Sequence, residues 1–376
     1  MLILPSKNNK LSAVHIIQRF PLSSNRSLKA WSAADEHILK FVNEEISEKS
    51  SISIINDRFG YLSVSLNKYK PNIISDFKSQ EDAIESNYKL NSIDTSILRF
   101  THLIDDDNAK YDLVTLKIPK SLDLFHLFLI SAHKNSHSES KVFCGFMTKH
   151  FTKQMLEIAS HYFVNVEQSL AWKKSRVIIL SKPKMQLEEI IPIKTISYLN
   201  HRDEKLLFKQ YFGVFSANHI DYATQFLLAN LNIDESAKNI LDLACGNGVI
   251  AHEIRNQSET AEIHLHDDSY LAIESARMNL SKGDNHFHYN YHLGDFKDEF
   301  FDLVVCNPPF HFEHENTIDI ALQFFKGVSR ILKKDGVFII VSNLHLNYKT
   351  HLSKIYNNVE VINMNKKFEI IKCQNR

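Results

Sequence analysis

The second half of this chain repeats the strand-and-helix order of the first, and that duplication restricts the fold more than any other feature. Ser51-Ile52-Ser53-Ile54-Ile55 is a strand pattern ending in Asn56-Asp57-Arg58-Phe59-Gly60, and Asn239-Ile240-Leu241-Asp242 is a strand pattern ending in a glycine loop. A second pair follows: Asn72-Ile73-Ile74-Ser75 ends at Asp76, and Ile263-His264-Leu265-His266 ends at Asp267-Asp268. Each leads into a helix, with Ala83-Ile84-Glu85-Ser86 matched by Ala272-Ile273-Glu274-Ser275. A third pair, Tyr111-Asp112-Leu113-Val114-Thr115 and Phe301-Asp302-Leu303-Val304-Val305, has the apolar content of fully buried strands. Earlier, the run from Leu28 to Leu39 has helical spacing. Strands alternating with helices predict α/β units with parallel sheets and crossover helices. The chain's 376 residues suffice for two such domains, each with its own core.

The two copies differ where chemistry would occur. After its third strand the second copy has Asn307-Pro308-Pro309-Phe310, whereas the first has Lys117-Ile118-Pro119-Lys120. Two successive prolines fix φ and remove two donors, so the Asn307 and Pro308 carbonyls can be held towards a cleft. A carboxamide, a carbonyl and an aromatic ring suit a planar amine, which needs acceptors for its hydrogens and a face for stacking. A lysine ammonium cannot accept those hydrogens, so the first copy is expected to keep the scaffold without the chemistry.

Asn-Pro-Pro-Phe after a strand resembles the catalytic motif of S-adenosylmethionine-dependent amino methyltransferases. The glycine loop Asp242-Leu243-Ala244-Cys245-Gly246-Asn247-Gly248 fits the same cofactor. Gly246 and Gly248 let the backbone pass close beneath a ligand. A carboxylate at Asp242 is favourable beside a cationic sulfonium amino acid and repulsive beside a pyrophosphate. At the end of the next strand, Asp267 or its neighbour Asp268 can take two ribose hydroxyls, and Asp295, after Leu293-Gly294, can accept from an adenine amino group.

The opening Gln18-Arg19-Phe20-Pro21, the run Ala30-Trp31-Ser32-Ala33-Ala34-Asp35-Glu36, Val214-Phe215-Ser216 and His311 add to the likeness. With the duplication, they make the chain similar over nearly its whole length to the RlmG/RsmC family of bacterial ribosomal RNA guanine-N2 methyltransferases, on its large-subunit side. The resemblance implies two tandem Rossmann-like class I methyltransferase domains, the N-terminal one degenerate. It also implies methylation of a guanine N2 in 23S ribosomal RNA, free or in a pre-ribosomal particle. Asn307, Pro308 and Phe310 would be catalytic, and Lys117, Lys120, Lys173, Lys174 and His311 would meet RNA. The domains are expected at 1–186 and 214–376, with a connector carrying a β-hairpin at 187–213.

Departures from the family pattern occur at Ala217, where an arginine is usual, at Tyr222-Ala223, and at Asn343-Leu344-His345. The changes at Ala217 and Leu344 each lose a positive charge, which bears on phosphate contacts.

Formal net charge is +0, so any nucleic-acid contact depends on local basic patches rather than the total. The four cysteines, Cys144, Cys245, Cys306 and Cys373, have no metal or redox spacing. No signal peptide or membrane span is evident, so a cytoplasmic protein with no membrane association, no metal and no obligate protein partner is expected. The competing readings are methylation of a 16S guanine N2, methylation of a protein glutamine amide, and a non-enzymatic RNA-binding factor in ribosome assembly. The intact second copy argues against the last. The duplication argues against the amide enzymes, which carry a small helical domain instead.

Overall fold

A computed structural model describes residues 2–3, 15–22, 28–105, 109–188, 190–216, 218–308 and 317–375. The chain divides into two compact units, Met1–Pro192 and Ile193–Arg376.

The first unit runs β1 (Leu2–Ile3), α1 (Ala33–Glu45), β2 (Ile52–Ile55), α2 (Tyr61–Ser65), β3 (Asn72–Ser75), α3 (Lys78–Leu90), β4 (Arg99–His102), β5 (Tyr111–Lys117), α4 (Leu122–Lys134), β6 (Ser136–Met147), α5 (Lys153–Tyr162), β7 (Phe163–Ser169) and β8 (Ser175–Pro183). The second begins with a hairpin, β9 (Ile193–Leu199) and β10 (Lys205–Tyr211). It continues α6 (Tyr222–Leu228), β11 (Asn239–Leu243), α7 (Val249–Gln257), β12 (Glu262–Asp267), α8 (Tyr270–Asn279), β13 (Asn285–Tyr289), β14 (Phe301–Cys306), α9 (Thr317–Ile331), β15 (Leu332–Asn343), α10 (Tyr348–Leu352), β16 (Asn358–Met364) and β17 (Phe368–Gln374).

The sheets have one topology. Strand order is β7-β8-β6-β5-β2-β3-β4 in the first, with the two-residue β1 added beside β7, and β16-β17-β15-β14-β11-β12-β13 in the second. Register is shared too: Ile52 pairs with Leu113 as Ile240 pairs with Leu303. In both units the strand order reverses beside the central pair, and ligands of open α/β sheets bind in the crevice beyond the carboxyl ends of such a pair.

Two expectations need correcting. The sheets are mixed rather than parallel throughout, because β8 runs antiparallel to β6 and β7, and β17 antiparallel to β15 and β16. The helix expected from Leu28 starts instead at Ala33. Ser32 ends the extended segment, and its backbone N–H donates to Asp35 Oδ2 at 2.7 Å, closing a capping box.

Burial explains the central strands of the second unit. Ile240, Leu241, Asp242 and Leu243 are each at most 1% exposed, and the strand is covered on both faces. Hairpin, α6, α7 and α8 residues such as Phe208, Leu227, Ile254 and Ile273 pack on one side. Phe325, Val328 and Tyr356 pack on the other. The hairpin alternates as a half-buried ribbon should, with Ile196, Tyr198, Phe208 and Gln210 turned inward. It belongs with the second unit and is tied to α8: Tyr211 N–H donates to Ser275 Oγ at 3.0 Å, and Lys209 N–H to Asn279 Oδ1 at 2.8 Å. Among the described residues, no helix is long and apolar enough to cross a membrane.

Candidate active site

The carboxyl ends of β11, β12 and β14 converge on one cleft. β11 runs into Ala244-Cys245-Gly246-Asn247-Gly248, where Ala244, Gly246 and Gly248 take φ of 59°, 54° and 80°. At Gly248 a side chain is barred by packing as well as by φ. A Cβ there would stand 2.8 Å from Leu280 Cδ1 and 3.1 Å from Ala276 Cβ, so glycine lets α7 start hard against α8. Gly246 differs: a Cβ would meet nothing within 4 Å, so its backbone borders open space.

Asp267, at the end of β12, holds this loop in place. Its Oδ2 accepts from Gly246 N–H at 3.0 Å and its Oδ1 from Ser269 N–H at 2.9 Å. Burial raises its pKa to about 6 despite those two donors, which favour the charged form. Asp268 follows on the turn into α8. Asp295 is exposed and accepts from Asn290 Nδ2 at 2.6 Å, while Asn290 N–H donates to the Asp267 carbonyl at 3.0 Å. The loop's far side is held by Asn247, whose Nδ2 donates to the buried Gln210 Oε1 at 2.8 Å.

Asp242 is placed deeper than a residue facing the cleft. It is 0% exposed, and its Oδ2 accepts from Ala251 N–H of α7 at 2.9 Å. Its Oδ1 is buried without a partner. Loss of solvation lifts its pKa to about 8.

Asn307 stands just past β14. Its Nδ2 donates to Thr224 Oγ1 at 2.7 Å and to Asp221 Oδ2 at 3.3 Å. Asp221 caps α6, where the same Oδ2 accepts from the N–H groups of Ala223 at 3.0 Å and Thr224 at 3.3 Å. An ionised carboxylate only accepts, so it must face the NH2 and not the oxygen of Asn307, which fixes the orientation of the amide. Among the described residues, Asn307 Oδ1 is left buried with no hydrogen-bond partner. Asn307, Asp221, Thr224, Ser216, Ile220 and the Ala244–Asn247 turn line a common cavity. Pro308, the next residue after Asn307, is buried, and Asp242 and Asp267 are not among the lining residues.

The cleft therefore combines a glycine that leaves room for a ligand with an aimed, unsatisfied acceptor. Burying such an oxygen unpaired costs about 1–3 kcal/mol, so the arrangement suits an incoming donor. Phe310, His311 and Ala217 lie outside the described residues. The proposed RNA-contacting lysines all belong to the first unit. Lys117 Nζ is 2.9 Å from the buried Asp35 carboxylate, and Lys173 Nζ is 2.8 Å from Glu36 Oε2. Lys120 and Lys174 are exposed.

Asp221, Thr224 and Gln210 are site residues that the sequence reading does not single out. Only an aspartate just before a helical run hints at Asp221, and that pattern is common to many helix starts.

Both units match known families. Residues 7–185 match the RLMG N-terminal domain, and residues 205–372 match the Methyltransferase small domain. Ribosomal RNA large subunit methyltransferase G of Psychromonas ingrahamii is 31% identical over 372 residues, covering 95% of this chain and 96% of that protein. The protein of the same name from Yersinia pestis (strain Pestoides F) is 30% identical over 368 residues, covering 95% and 91%. Among solved structures, the T. thermophilus 16S rRNA N2 G1207 methyltransferase (RsmC), in complex with AdoMet and guanosine, superposes with a TM-score of 0.75. It covers 96% of this chain and 98% of its own at 17% identity, a likeness of fold.

Proposed function

The chain belongs to the ribosomal RNA large subunit methyltransferase G family, and from that premise we propose that its second unit methylates the exocyclic N2 of a guanine in 23S ribosomal RNA, using S-adenosylmethionine. The observation that carries this reading is Asn307 Oδ1, a buried acceptor without a partner among the described residues, on the cavity that the glycine loop also lines. The residues fit the cofactor: Gly246 leaves open space, Asp267 ends β12 beside it, and Asn290, just past β13, links the Asp267 backbone carbonyl to the Asp295 carboxyl.

When bound, the cofactor supplies a methyl group on a sulfonium, a leaving group that departs as a neutral thioether. The protein's task is to present a weak nucleophile, because the guanine N2 lone pair is delocalised into its ring. The splayed base places one N2–H on Asn307 Oδ1. That hydrogen bond strengthens as positive charge develops on nitrogen, so the acceptor stabilises the transition state more than the ground state. Asp221 and Thr224 hold the carboxamide by its NH2 and so keep the oxygen aimed. With the cofactor bound, transfer would form the N–C bond at the expense of the methyl–sulfur bond, whose electron pair would stay with the departing thioether, and the N2 proton held on Asn307 Oδ1 or its partner would pass to water. Pro308 keeps the turn stiff, Phe310 stacks on the base, and His311 meets RNA. Asp267 or Asp268 holds the ribose, and Asp295 the adenine. The first unit grips RNA through Lys120 and Lys174, whereas Lys117 and Lys173 are engaged with carboxylates. A ribosomal RNA substrate makes the enzyme cytoplasmic.

The test is transfer of radiolabelled methyl to deproteinised large-subunit RNA from cells lacking this protein, with assembled subunits, small-subunit RNA and Asn307→Ala alongside. The expected result is N2-methylguanine in large-subunit RNA alone, and a loss of about 100-fold or more in the variant. Label in small-subunit RNA, or on protein glutamine, would replace the proposed substrate.

A further inference from the structure

At the opposite, amino-terminal ends of β12 and β13, three polar side chains converge on a small volume that the methyl-transfer reaction does not use, with Asp284 beside one of them. His264 lies opposite His286 in the parallel register. Glu262 Oε1 is 3.1 Å from His264 Nε2 and 3.1 Å from His286 Nε2. Asp284 Oδ1 is 3.0 Å from His286 Nε2. The donor atoms of Glu262, His264 and His286 all lie within 4.8 Å of one another. We propose that Glu262, His264 and His286, completed by Asp284, bind one divalent transition ion of the zinc class.

The spacing suits that ion. Tetrahedral zinc with N and O ligands at about 2.0–2.2 Å separates neighbouring donors by about 3.4 Å; the carboxylate-to-imidazole separations of 3.0–3.1 Å are close to that, and the His264 and His286 rings, stacked 4.7 Å apart, would turn to aim both Nε2 atoms at one ion. The donor set, two imidazoles with carboxylates, is one that zinc accepts. His286 Nε2 is buried with no hydrogen-bond partner, although two carboxylate oxygens stand at ion-pair distance. It thus has neighbours at the right range in the wrong direction for hydrogen bonds. The surroundings complete a ligand's usual support. His264 Nδ1 lies 2.9 Å from His288 Nε2, so with Nε2 on the metal, Nδ1 carries the proton and donates it there, fixing the tautomer. Phe296, Phe300 and Phe301 meet the His264 ring edge-on and hold its plane.

The first unit provides an internal control. The positions in register with His264, His286 and His288 are Asn72, Arg99 and Thr101. There Asn72 Nδ2 donates to Thr101 Oγ1 at 2.9 Å, so the cross-strand polar pair persists without the ligand set. A bound ion would pin β13, the outermost strand of its sheet, to β12.

The experiment uses the full chain, stripped with chelator, desalted and titrated with cobalt(II) as a visible-absorption probe, then with zinc as competitor. One equivalent with tetrahedral ligand-field bands is expected, displaced by zinc, and zinc should raise Tm. Glu262→Gln and His286→Ala should each weaken binding at least about 10-fold and abolish the zinc-dependent rise in Tm. Asp284→Asn, at an exposed position, tests the site without disturbing packing and should weaken binding more modestly. His201→Ala controls for the other histidines of a chain that has 20 in all, and should bind as the parent does. Absence of a saturable equivalent, or binding unchanged in both Glu262→Gln and Asp284→Asn, would overturn the site. Neither result bears on methyl transfer.

Discussion

The two units share a strand order and register and differ in what stands at the carboxyl ends of their central strands. Asn56 and Ala244, the register equivalents that open each loop, have φ of 62° and 59°. Gly60 and Gly248, which close each loop, have φ of 83° and 80°. Between them Gly246 is replaced by Arg58, whose guanidinium lies over the rings of Phe59 and Phe77. Ile54 stands for Asp242, and Ser75 for Asp267, with Ser75 Oγ donating to Glu81 Oε1 at 2.8 Å. Lys117 stands for Asn307 and donates to Asp35 in the first turn of α1, much as Asn307 donates to Asp221 at the start of α6. The helix-to-strand link survives in both units. Buried unpaired oxygens occur in both units, but only in the second does the linking side chain itself carry one, Asn307 Oδ1 on the wall of a cavity; the lysine that stands in its place has no acceptor to offer.

Transplanting residues between the units tests this difference most severely. Gly246→Arg should weaken S-adenosylmethionine binding by about 100-fold or more, read by calorimetry. The arginine would intrude on the open space, and a left-handed φ costs a non-glycine residue about 1–2 kcal/mol. The reciprocal Arg58→Gly should gain no binding, since Ile54, Ser75 and Lys117 remain. Retained affinity in Gly246→Arg would place the cofactor elsewhere.

A smaller effect is expected where the helix-to-strand link is cut. Asp221→Ala frees the Asn307 carboxamide to rotate and should lower kcat by about 10–100-fold, with cofactor affinity within about threefold. The corresponding change in the first unit, Asp35→Ala, strands a lysine and should lower Tm with kcat retained. Equal effects of the two on kcat would show that the link is merely structural in both.

The mildest change concerns Asp242, whose counterpart Ile54 cannot ionise. A carboxyl whose pKa rises from 3.8 to about 8 on folding stabilises the folded state fully below pH 3.8, and that contribution is lost as pH rises towards 8. Asp242→Asn removes the ionisation. By scanning calorimetry without cofactor, its Tm relative to the parent should improve steadily from pH 4 to pH 8. A Tm difference independent of pH would mean that Asp242 is not held in its neutral form.

Much of this was legible in the chain. Buried strands read as apolar runs because both faces of the sheet are covered, and the Asn307 turn stood out because two prolines leave the backbone few conformations. Asp267 could be placed from its position at a strand end. What sequence could not show was direction and distance. Asp242 has the right spacing for a ligand contact, yet its rotamer sends the carboxylate to Ala251 N–H. Thr224 and Asp221 reach Asn307 across 83 and 86 residues, a closeness set by the fold and not by any local pattern. The histidines of β12 and β13 look like ordinary strand residues until the register puts them side by side.

Gln210 has a consequence for where the chain can be divided. Buried in the hairpin, it accepts from Asn247 and donates to the carbonyls of Val214 and Phe215 at 3.2 and 3.4 Å, so one side chain spans the hairpin, the segment after it and the glycine loop. A fragment cut at Val214 would keep every motif residue and lose the strut behind them. One cut at Ile193 would carry its own support, so the second unit as a folding piece begins ahead of the hairpin, upstream of the glycine loop it braces.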